Sequence, residues 1–127
     1  MVRVVLIGFA GALGTLARYF VGLWAGRTFG AGFPYGTLIV NLVGCFLIAV
    51  VMHLATSTTS ISPTVRLTLT TGFMGGLTTY SSFNFETTRL FQNRAWDAGL
   101  LNLALTMGGC FAAGLTGLAV ARKLVGN

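Results

Sequence analysis

Polar residues are sparse along this chain, and the spacing between them sets the first reading. Four apolar stretches stand out: Val4–Trp24, Thr37–Leu54, Val65–Leu90 and Ala98–Val120. Each is near or above the ~20 residues that an α-helix needs to cross a hydrocarbon core. The pattern predicts four transmembrane helices in one domain over residues 1–127. The connections are short. Residues 25–34 form a Gly-rich turn, residues 55–63 a Ser/Thr loop closed by Pro63, and residues 91–97 a charged loop with an interfacial Trp96. Both prolines fall in these connections, as helix punctuation should. Arg3 precedes the first stretch as it would a signal peptide. However, Gly8, Gly11, Gly14 and Arg18 interrupt the run and no Ala-x-Ala site follows it, so it is read as a retained helix.

The third stretch breaks the pattern. Residues 72–86 read GFMGGLTTYSSFNFE, crowded with glycine, hydroxyls and aromatic rings. Irregular backbone at membrane depth is tolerated only where it is buried in protein or lines a watery cavity. Gly72, Gly75 and Gly76 weaken the helix, and the hydroxyls between Thr68 and Thr88 can satisfy freed backbone groups. A break is therefore expected near Gly75–Thr79, and a broken membrane helix exposes carbonyls that can coordinate a cation. Beyond it, Tyr80 and Phe83 share a helical face. Aromatic edges are positive, so two of them can meet an anion without a fixed charge that would trap it. The hydroxyls of Thr79, Ser81 and Ser82 and the amide of Asn41 add donors. This suits a small, strongly hydrated anion, which must exchange water for donors to enter. Ordinary packing of Tyr80 and Phe83 is the alternative, and their spacing alone favours it.

Composition narrows the class. Only 8% of the 127 residues are charged, against about 25% in a soluble domain. The net charge of +6 is read as a set of topology signals rather than a nucleic-acid footprint. Four spans put Arg3, Arg66, Arg122 and Lys123 on one side and Arg27, Arg89 and Arg94 on the other, with Arg18 deeper in the first helix. So weak a bias permits insertion in either orientation. Four such helices enclose little space, and a subunit that inserts both ways can pair antiparallel with itself.

Polar stripes follow the helical period. Thr37, Asn41 and Cys45 share a face of the second helix, and Asn102, Thr106 and Cys110 share one of the fourth. Gly11, Thr15 and Arg18 mark the first. Small and hydroxylated residues also serve plain helix packing, and that reading stays open for the Gly, Thr and Cys positions. Asn41 needs hydrogen-bond partners. An intramembrane arginine points to a functional site, although Arg18 can instead snorkel or hold a neighbouring carbonyl. His53 is single and near a helix end. Cys45 and Cys110 form no metal or redox motif. Glu86 and Asp97 are the only acids and lie on different segments, so paired acid–base catalysis is not indicated, and no nucleotide or nucleophile motif is present.

Three motifs in order resemble one family. GGLTTYSSF at 75–83 closely resembles the GGLTTFSTF signature of the Fluc (CrcB) fluoride channels. GALGTLARY at 11–19 resembles their first-helix motif, and GTLIVNLVG at 36–44 their second-helix motif. The resemblance covers nearly the whole chain. It implies an antiparallel dual-topology homodimer with two fluoride pores, in membrane lipid, in the bacterial inner membrane. It also implies a central structural Na⁺ held by backbone carbonyls of Gly75 and Thr78. The family's paired aromatics map onto Tyr80 and Phe83, its pore asparagine onto Asn41, its vestibule arginine onto Arg18 and its fourth-helix polar track onto Asn102, Thr106 and Cys110. Tyr80 departs from the family pattern, which has Phe. The resulting expectation is a passive fluoride channel with no catalytic step. A small proton-coupled multidrug antiporter using Glu86, or a structural subunit of a membrane complex, stands as the alternative.

Overall fold

Continuous apolar sequence gives continuous helix here, because a backbone in lipid must satisfy its own hydrogen bonds. The computed structural model describes residues 1–126. In order, it contains α1 (Val2–Phe29), α2 (Tyr35–Ser57), α3 (Pro63–Leu67), a π-helical segment (Thr68–Met74), α4 (Gly75–Leu77), α5 (Tyr80–Gln92) and α6 (Trp96–Leu124). Among the described residues, α1, α2 and α6 are long and apolar enough to cross a membrane. The chain is an all-α, multi-pass integral membrane protein. Most large apolar side chains on these helices, Phe9, Leu16 and Phe111 among them, point outward. The small buried core is built on Val40, Met74 and Leu77.

The helices overrun the expected boundaries. Residues 25–29 are helical rather than turn. Ala25 is buried, and a Cβ on Gly36 would stand 2.8 Å from the Gly22 Cα and 3.6 Å from the Ala25 Cβ. Small residues on both sides thus let the end of α1 pack backbone to backbone on the start of α2, and that contact holds the last turns. The turn proper begins at Gly30, whose φ of 86° suits glycine and whose amide donates to the Gly26 carbonyl at 3.0 Å. The loop expected over 91–97 contracts to residues 93–95, where Arg94 takes a positive φ of 61°.

The stretch over 65–90, expected to break near Gly75–Thr79, is divided, and Thr78 and Thr79 leave helical geometry. Ser62 starts it by accepting from the Val65 amide at 3.2 Å, with Pro63 in the first turn. The helix then widens into π geometry from Thr68 to Met74. Hydroxyls of Thr68 and Thr70 donate back to the Thr64 and Arg66 carbonyls at 2.7 and 2.8 Å. Glycines fix this irregular piece against α1. A Cβ on Gly72 would lie 2.9 Å from the Ile7 carbonyl oxygen, and one on Gly76 would overlap the Gly11 carbonyl. A Cβ on Gly14 would overlap the Phe73 carbonyl in return. Along the opposite seam, Gly117 of α6 sits against the Phe46 carbonyl of α2.

Candidate functional site

Helical geometry stops at Leu77 and resumes at Tyr80. Thr78 and Thr79 between them are extended, with φ, ψ of −90°, 156° and −154°, 119°. Asn41, buried on α2, fastens the gap. The Thr79 amide donates to Asn41 Oδ1 at 2.8 Å, and Asn41 Nδ2 donates to the Thr79 carbonyl at 3.1 Å. Only this orientation of the side-chain amide matches donor to acceptor at both ends, and it leaves one Nδ2 hydrogen uncommitted. The Thr79 hydroxyl caps α5 by accepting from the Ser82 amide at 3.2 Å and lies 3.2 Å from Ser81 Oγ.

These substitutions in the backbone ladder release particular carbonyls. In an unbroken helix the Gly75 carbonyl would accept from the Thr79 amide, and the Thr78 carbonyl from the Ser82 amide. Side-chain oxygens of Asn41 and Thr79 now take those two amides. The Gly76 carbonyl is occupied differently, accepting from Arg18 Nε at 3.0 Å. Thr78 is held by its hydroxyl and its amide, which donate to the Met74 carbonyl at 2.8 and 3.0 Å. Its methyl lies against Gly44, where any Cβ would overlap it. Two freed, neutral carbonyl oxygens are a donor set for a hard cation of low charge.

The expected pathway residues divide between two cavities. One, of about 400 Å³, is lined by Asn41, Gly75, Thr78, Tyr80, Phe83 and Thr106. The other, of about 370 Å³, is lined by Arg18, Thr37 and Ser82. Thr79 lines both. Tyr80 and Phe83 pack edge to face, their centroids 5.6 Å apart and their planes at 64°. Phe83 is only 3% exposed, whereas Tyr80 is 71% exposed on this subunit. Ser81 is exposed and touches the site through Thr79.

Asn102 lies elsewhere. It is fully buried and lines neither cavity. Thr106 donates to Asn102 Oδ1 at 3.4 Å, Asn102 Nδ2 donates to Thr87 Oγ1 at 2.8 Å, and Thr87 donates to the Phe83 carbonyl at 2.7 Å. This chain pins α5, and Phe83 with it, to α6. Sequence reasoning passed over Thr87, although its place four residues after Phe83 was a usable signal. It also missed that Thr37 donates to Glu86 Oε1 at 2.6 Å. Among the described residues no buried side-chain nitrogen or oxygen lacks a partner.

The sequence matches the family model described as CrcB-like protein, Camphor Resistance (CrcB), over residues 5–118. Curated relatives carry the name "Fluoride-specific ion channel FluC". The one from Sorangium cellulosum (strain So ce56) is 54% identical over 119 residues, spanning 94% of each chain. The one from Citrifermentans bemidjiense is 44% identical over 124 residues, spanning 98% of this chain and all of the relative. The one from Anaeromyxobacter dehalogenans is 44% identical over 126 residues, spanning 99% of this chain and all of the relative.

Proposed function

The chain belongs to the CrcB family, and from that premise we propose that it is a fluoride-selective ion channel carrying the anion passively down its gradient. The observation that supports this reading most directly is the end-to-end similarity, at 44–54% identity, to relatives named as fluoride-specific channels. The geometry at the helix break fits it. Arg18 supplies positive charge to the 370 Å³ cavity, and its Nη groups stay free of the bond that its Nε makes to Gly76. Ser82 offers a hydroxyl there, and Thr79 lines both cavities. In the 400 Å³ cavity the uncommitted Nδ2 hydrogen of Asn41 and the edges of Tyr80 and Phe83 replace water around the ion. No carboxylate lines either cavity; Glu86 stands behind Thr37, whose hydroxyl donates to it.

The near-balanced Arg and Lys residues support an antiparallel dual-topology homodimer with two pores, in the bacterial inner membrane. A two-fold axis beside the break would bring together the Gly75 and Thr78 carbonyls of both subunits, four oxygens that would hold a Na⁺. When bound, that ion supplies a fixed positive charge and ties the two breaks together.

Purified protein in liposomes loaded with fluoride or chloride tests the reading. Fast fluoride efflux with little chloride efflux is expected. A folded preparation that passes neither ion, or passes both equally, would overturn it.

A further inference from the structure

Two groups border the 400 Å³ cavity without serving as donors to the anion in the reading above. Cys45 comes from α2 and Cys110 from α6, each at the end of its helix's polar stripe. Both are free and half-buried. They stand on the two helices that pack along one seam, and both line the cavity at the break. They also occupy a distinctive place. The 400 Å³ cavity at the break adjoins a longer apolar groove of about 620 Å³ that runs between α2 and α6 toward His53. Only Cys45, Cys110 and Ile48 line both. The two cysteines, with Ile48, therefore form the neck between them.

We propose that Cys45 and Cys110 form a two-coordinate site for a soft divalent d10 ion, with Hg(II) as its representative. Thiolates select soft metals. Among the described residues no third His, Cys, Asp or Glu stands near enough to complete a larger metal site. That rules out tetrahedral coordination of the kind zinc takes in structural sites and leaves ions that accept two ligands in line. Two ~2.3 Å metal–thiolate bonds in line span about 4.6 Å, a reach that facing thiols on packed helices attain by turning χ1. Charge decides the oxidation state. A monovalent ion on two thiolates leaves a net negative charge in an apolar setting, which is costly. A divalent ion on two thiolates is neutral. Mercuric chloride is itself neutral and enters such a groove without a counter-ion. Two S–H bonds and two Hg–Cl bonds break, two Hg–S bonds form, and two protons and two chloride ions leave. No electrons change hands.

The ion would staple α2 to α6 at the neck and stop anion flow. Only that blocking effect rests on the channel reading. The binding itself does not.

The test titrates purified protein with mercuric chloride, following the ultraviolet charge-transfer band of mercury thiolate, and then challenges it with excess glutathione. The parent is expected to hold one Hg(II) per subunit through the challenge. Cys45→Ser and Cys110→Ser are each expected to release it, with retention at least tenfold lower, and Cys45→Ala and Cys110→Ala provide second variants should a serine perturb the fold. Two Hg(II) per subunit in the parent, or a single variant retaining mercury as the parent does, would overturn the site. In liposomes, one equivalent should stop efflux from the parent and spare the Cys45→Ser/Cys110→Ser double variant. Full efflux through mercury-loaded parent would overturn the placement at the neck. Absence of efflux from mercury-free parent would count against the channel reading alone.

Discussion

The side-chain amide of Asn41 bonds both main-chain groups of Thr79, accepting from its N–H at 2.8 Å and donating to its C=O at 3.1 Å. One buried side chain from α2 thus does for the interrupted helix what a neighbouring strand does for an extended residue. It also withdraws the Thr79 amide from the Gly75 carbonyl. Shape of the break, freedom of the carbonyl and placement of the remaining Asn41 donor are consequences of a single contact.

Asn41→Asp is therefore expected to act twice. It sets an acceptor against the Thr79 carbonyl and removes the spare donor from the cavity. Leaving that part-buried carbonyl unpaired costs up to about 1–3 kcal/mol. Fluoride efflux should fall strongly while size-exclusion chromatography still shows folded protein. Parental efflux through a folded Asn41→Asp protein would take Asn41 out of the pathway.

Gly44 is expected to be intolerant for a local reason, since any Cβ there overlaps the Thr78 methyl. Gly44→Ala should lower stability by about 1–3 kcal/mol through overpacking. Thr78→Ser keeps the hydroxyl bonded to Met74 and deletes the methyl, so the double variant should regain most of the loss. Thermal unfolding in detergent measures all three. Additive losses would mean that the two side chains do not meet.

Ring edges and mere packing make opposite forecasts at the aromatic pair. If edges stabilise the anion, Tyr80→Phe should keep or raise fluoride flux, while Phe83→Ile should cut it about tenfold or more, a tenfold change in rate corresponding to ~1.4 kcal/mol of barrier. If the rings only fill space, the apolar exchange at Phe83 should be tolerated. Efflux rates of the two variants decide between these.

Removal of sodium examines the carbonyl site. Prolonged dialysis into a sodium-free, N-methylglucamine medium should lower the unfolding temperature or the fluoride flux, and added Na⁺ should restore it. Stability and flux that are both indifferent to Na⁺ would exclude a structural ion at Gly75 and Thr78.

Orientation is open to a direct measurement. A single cysteine added at the C-terminus of a Cys45→Ser/Cys110→Ser protein should react with an impermeant maleimide from both faces of the membrane. Reaction from one face alone would rule out dual topology.

Local chemistry determined what was legible in the sequence. Apolar run length marked the helices, and clustered Gly and Thr marked the place where the third stretch loses helical geometry, because both act within a turn or two of the chain. The polar stripes were legible in the same way, through the 3.6-residue period. What each polar group does was not. Arg18 donates to a carbonyl 58 residues away and Asn41 bonds a residue 38 away. Either was as well suited, from sequence, to meet an ion directly. Asn102 shared a stripe with Thr106, yet tertiary packing closed it into a chain to Thr87 and away from the cavities. The residues of α1 beyond Trp24 looked like a turn until Gly22, Ala25 and Gly36 brought two backbones together. Side-chain partners at such separations are chosen by how helices dock, and docking depends on the summed fit of many small surfaces that no single stretch of sequence contains.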